Sequence, residues 1–81
     1  MGLYMELKRL KADFNYLIGR INKAEALEKQ GEFENYTDER FDKVVSNLTV
    51  LIFEAAKTAT EIENILGRPL TTKECLHGIE V

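Results

Sequence analysis

The sequence predicts an all-α chain: a long antiparallel helical hairpin, coiled-coil-like, with a short C-terminal helix, dimerising into a four-helix bundle. Three observations predict it. Leu3, Leu7, Leu10, Phe14, Leu17, Ile21 and Ala24 alternate spacings of four and three, and so do Phe41, Val45, Leu48, Ile52, Ala55, Ala59, Ile62 and Leu66. Such a period keeps one apolar stripe of a helix turned toward a partner over its whole length. Folding the chain between the two ladders closes a register: Leu3 meets Ile62, Leu7 meets Ala59, Leu10 meets Ala55, Phe14 meets Ile52, Leu17 meets Leu48 and Ile21 meets Val45. Finally, the second ladder carries more apolar residues than one partner helix can cover.

The first helix is expected over residues 3–30. Leu, Lys, Glu and Ala dominate it, all good helix formers, and it holds no proline. Gly19 interrupts this composition at a cost of up to about 1 kcal/mol, but the ladder crosses it unbroken. Gly31 is a natural C′ residue, where a left-handed backbone meets no Cβ clash. The connection runs through Glu32 to Tyr36. Helix two, over residues 37–66, starts at an Asn35 or Thr37 cap, with Asp38 and Glu39 at the positive end of its dipole. Gly67-Arg68-Pro69 ends it, because proline cannot continue a helix. Thr71-Thr72-Lys73-Glu74 then reads as a capping box opening a helix over residues 72–77, closed by Gly78. Leu70, Leu76 and Ile79 should fold this lid onto the open end of the hairpin, beside Leu3 and Leu7.

Residues 1–81 make one small domain, with marginal burial for its size. The single cysteine, Cys75, excludes an internal disulfide and fits a reducing compartment, so oligomerisation is the expected staple. Charged residues make up 31% of the chain and the net charge is −3, without the basicity of a nucleic-acid binder. No apolar run approaches the roughly 20 residues a membrane span needs. The start, Met1-Gly2-Leu3-Tyr4-Met5-Glu6, lacks a lipidation or secretory pattern, so a cytoplasmic protein is expected.

Helix two carries Val44, Leu51 and Ile65 at one flank of its ladder, and Val50 and Phe53 on its outer face. A helix apolar nearly all round is normally buried on more than one side. Tyr4 and Ile18 give helix one a smaller match. The lid and loop wrapping back over these residues is one explanation; a partner surface is the favoured one, because the lid lies at one end and Phe53 near the middle. The expected interface is therefore Val44, Val50, Leu51, Phe53, Ile65, Ile18 and Tyr4, used first for a homodimer and alternatively for a different protein.

Five bases against two acids, from Met1 to Ala24, make the first helix basic, and seven acids against three bases make Glu25 to Lys43 acidic. Pairing of the basic start with Glu54, Glu61 and Glu63 across the hairpin is the plain expectation. Lys8, Arg9, Lys11, Arg20 and Lys23 are the candidates for an anion contact, with nucleic acid as the alternative function. The acidic tip lacks the ligand pattern of a calcium loop. Cys75 and His77 stand two apart, pointing different ways on a helix, and are read as a small buried hydrophobe and a helix-end residue. A di-iron bundle needs two Glu-x-x-His motifs and the chain has only Glu74-Cys75-Leu76-His77; no phosphate loop or Gly-x-Ser-x-Gly is present. The ladders hold no cation that would line a catalytic cavity. The reading is a non-enzymatic helical adaptor, regulator or inhibitor, without metal or cofactor. In general style, an acidic helical chain with a capped terminal helix, it is similar to small accessory proteins of bacterial mobile elements; that likeness rests on no residue motif.

Overall fold

The computed structural model describes residues 2–80; Met1 and Val81, the ends of the expected 1–81 domain, lie outside them. The chain is all-helical: α1 (Gly2–Lys29), α2 (Asp38–Leu66) and α3 (Thr72–His77), in that order. The two long helices form a hairpin measuring 49 × 20 × 17 Å. No helix among the described residues is long and apolar enough to cross a membrane.

The helix ends follow from local chemistry. Glu32 N–H donates to the Leu27 carbonyl and Gly31 N–H to that of Glu28, with Gly31 at φ +77°. That pair of bonds is a Schellman motif. Inside the connection, the Phe33 and Tyr36 rings meet edge-on at 5.1 Å, and the Arg40 guanidinium lies 4.0 Å from the Tyr36 ring centre. Thr37 caps α2 through the Arg40 N–H, and Gly67 closes it with a bond to the Glu63 carbonyl. Thr71 and Glu74 complete the capping box of α3 reciprocally.

Burial is confined to one half of the hairpin. Leu10, Phe14, Ala55, Ile62 and Ile79 form the buried cluster, and Ile62 has no exposed surface at all. Leu3 was expected opposite Ile62, yet it is 66% exposed and stands apart from this cluster. Leu48, expected opposite Leu17, lines a groove with Ala24 and Leu27 instead, a shift of about one heptad that keeps the same faces together. Helix two is also rotated. Val44, Leu48, Leu51, Ala55, Thr58, Ile62 and Ile65 are buried or half-buried, whereas the ladder residues Phe41, Val45 and Ile52 are 43–50% exposed; toward the lid the ladder residues Ala59 and Leu66 stay half-buried against the cluster. The inward set repeats four and three as well, and it shares Leu48, Ala55 and Ile62 with the expected one.

The lid departs from expectation in position. It packs on the middle of α1 rather than beside Leu3. Asn15 grips the Ile79 backbone at both ends of its amide: Nδ2 donates to the Ile79 carbonyl and Oδ1 accepts from the Ile79 N–H, each at 2.7 Å. One heptad on, Asn22 Nδ2 donates to the Leu76 carbonyl at 2.9 Å. The connecting segment is drawn back along the hairpin by Glu63, whose carboxylate accepts the Leu70 N–H at 2.7 Å. Ile79 is thereby buried, but Leu76 remains 54% exposed and Cys75, expected to be buried, is exposed. His77 occupies the last turn of α3, as read from the sequence.

Two features hold this lid in place. Gly78 has φ +96° and ψ 170°, a region open essentially to glycine alone, and a Cβ there would stand 2.8 Å from Asn15 Oδ1. Gly78→Ala is expected to destabilise the docked lid by about 1–3 kcal/mol; chemical denaturation together with hydrogen exchange at Ile79 checks this, and unaltered exchange would contradict it. The Arg68 guanidinium, hydrogen-bonded and ion-paired to Glu74 at 3.0 Å, and the Thr71 N–H hold the Glu74 carboxyl down to about 2. A depressed carboxyl contributes stability that is complete above its ordinary value of 4.5 and lost as pH falls toward 2. The Thr71 amide, which donates to the Glu74 carboxylate, should therefore lose hydrogen-exchange protection across that window; protection constant down to its lower end would contradict this.

Candidate functional sites on two faces of the hairpin

At about 100° per residue, Phe41, Val45, Ile52, Ala59 and Glu63 share one flank of α2. The chain itself covers the far end of that flank: Glu63 is engaged by Leu70, and Ala59 is half-buried against the core cluster. The near end is bare. Phe41 is 43% exposed, Val45 45% and Ile52 50%, with Phe53, at 71%, bordering them. On α1, Asn15, Ile18 and Asn22 line the same side of the hairpin, where the lid rests. A continuous face thus runs from lid to tip, finished at one end only.

The opposite side holds an open groove of about 450 Å³. Half-buried Ala24, Leu27, Val44, Leu48 and Leu51 make its apolar base. Exposed Tyr16, Arg20, Lys23 and Asn47 make its rim, with the Arg20 guanidinium 5.8 Å from the Tyr16 ring centre. No carboxylate lines it.

The expected interface residues divide between these surroundings. Tyr4, Val50 and Phe53 are exposed, at 58–71%. Val44 and Leu51 instead form the base of the groove, and Ile65 and Ile18 pack against the core cluster. The rotation of α2 is the reason for the first pair, and Ile18 is drawn in because it lies between the two asparagines that hold the lid. The same rotation brings out Phe41, Val45 and Ile52, which had been placed in the seam.

Among the described residues the one side-chain ion pair is Arg68–Glu74. Lys8, Arg9, Lys11, Arg20 and Lys23 form none, so the expected pairing with Glu54, Glu61 and Glu63 does not occur. Glu63 is already engaged by Leu70. No polar or charged residue is buried, and no three His, Cys, Asp or Glu side chains stand close enough to share a metal, among the described residues. Asn15 and Asn22 escaped the sequence reading. Their signal was available: two residues with poor helix propensity, seven apart, inside an otherwise strong helix.

No protein-family model, no curated protein and no solved structure matches this chain.

Proposed function

We propose that the chain is a non-enzymatic, protein-binding helical module that self-associates as a two-fold dimer through the bare flank of α2, forming a four-helix bundle. The observation that carries this reading is the exposure of Phe41, Val45 and Ile52, bordered by Phe53, on a flank whose other end the chain covers itself. A second copy is the simplest cover, because cyclic dimers are the commonest assemblies and a small rod gains most from a partner. An antiparallel contact between two α2 helices, centred between Leu48 and Thr49, sets Phe41 against Ala56 and Val45 against Ile52 of the other copy. Large residues then meet smaller ones, as interdigitating layers need. Such a dimer would act as an adaptor, regulator or inhibitor, in the manner of small mobile-element accessory proteins.

Sedimentation equilibrium tests the dimer. The wild-type chain is expected at the two-chain mass, and Ile52→Glu at the one-chain mass with its helical circular dichroism intact, since Ile52 is outside the buried cluster. A wild type that stays at the one-chain mass at concentrations of hundreds of micromolar would end the proposal.

Nucleic acid is the second reading, favoured by the five basic residues of α1 that lack ion pairs. The net charge of −3 opposes it. It predicts a mobility shift of duplex DNA or RNA at low salt that vanishes as salt rises. Unshifted bands at low salt would remove it.

A further inference from the structure

The groove on the other side of the hairpin is a different kind of surface from the α2 flank. It is apolar at its base and cationic at its rim, whereas the flank is apolar alone. We infer that it is a docking site for an acidic amphipathic helix of a partner protein. This inference does not rest on self-association, because the two surfaces lie on opposite sides of the hairpin.

Shape argues for a helix. From Tyr16 to Leu27 the groove follows α1 for about 16 Å at 1.5 Å per residue, the length of three helical turns. Its base, Ala24, Leu27, Val44, Leu48 and Leu51, is half-buried throughout, so a covering side chain would complete a burial already begun. The other half of the hairpin shows what completion looks like. There a third segment lies against the two helices, Ile79 enters the cluster at 5% exposure, and Leu10 and Phe14 become buried with it. At the tip half no residue of either long helix reaches that state. A partner helix presenting apolar residues at i, i+3 and i+7 supplies the missing third element.

Charge argues for acidity. Arg20 and Lys23 stand on the rim with no carboxylate among the lining residues and no ion pair to either. Arg20 is already placed by the Tyr16 ring beneath it, so little side-chain freedom is lost when it meets an anion. A basic partner would face two like charges, which disfavours it at encounter and in the complex. Asn47 and the Tyr16 hydroxyl offer neutral hydrogen bonds on the same rim.

The experiment uses the full chain and a fluorescein-labelled synthetic helix with leucine at i, i+3 and i+7 and glutamate on both flanks. A control helix carries lysine in place of every glutamate. Fluorescence polarisation should show saturable binding of the glutamate helix, weaker binding of the lysine helix, and a loss of affinity with rising salt. Arg20→Glu combined with Lys23→Glu should weaken the glutamate helix by on the order of tenfold or more, with circular dichroism unchanged because both residues are exposed. Ile52→Glu should leave this binding intact, which separates the result from the fate of the dimer. Absence of binding, equal binding of both helices, or indifference to the double reversal would overturn the inference. So would a change in the sedimenting mass of the free chain on the double reversal, since a second copy would then be the occupant, and so would tighter binding of duplex DNA than of the glutamate helix.

Discussion

Two helices lying side by side touch along a line and enclose almost nothing. A core appears only where a third element fills the valley between them, and in this chain that element is the backbone around Ile79. The two hydrogen bonds between Asn15 and Ile79 hold a short irregular segment against α1 as a neighbouring strand would be held. They satisfy polar groups that burial would otherwise leave unpaired at a cost of about 1–3 kcal/mol each. Leu10, Phe14, Ala55 and Ile62 are buried within reach of that segment. Away from it, residues of the same chemical type stay half-open.

The two surfaces follow from this one constraint. The connecting segment and α3 occupy a single side of the hairpin and only part of its length. The rest of that side is left as the Phe41–Val45–Ile52 flank, and the opposite side is left as the groove. Their different chemistry comes from α1, whose Arg20 and Lys23 border the groove, while the flank belongs to α2 alone. A rod finished in one half and open in the other is thus left with two separate surfaces of different chemistry.

Element type and element ends were legible in the sequence because both depend on neighbours in the chain. Gly31, Thr37, Gly67 followed by Pro69, and the Thr71–Glu74 box each act over a few residues, and each sits where local chemistry requires. Register and rotation were not legible, for a physical reason. A heptad ladder slid by seven residues presents the same face, and helix two holds two overlapping ladders that share Leu48, Ala55 and Ile62. Thr58 is the residue that made the true inward ladder look the poorer one, yet its hydroxyl is satisfied by the Glu54 carbonyl at 2.8 Å and so it tolerates partial burial. The expected interface residues inherited that ambiguity: Phe53 and Val50 are open, whereas Val44 and Leu51 exchanged places with Val45 and Ile52.

The Asn15–Ile79 contact spans 64 positions of the chain. During synthesis at about 5–20 residues per second, roughly 3–13 s separate the appearance of these two residues. Through that interval α1 has emerged with Leu10 and Phe14 bare, and even the arrival of α2 cannot finish covering them. The segment around Ile79 is made after α2, and it is the one that shuts α1. A chain arrested anywhere before Ile79 therefore presents an unfinished apolar helix to its surroundings, and the full burial of Leu10 and Phe14 waits for residue 79.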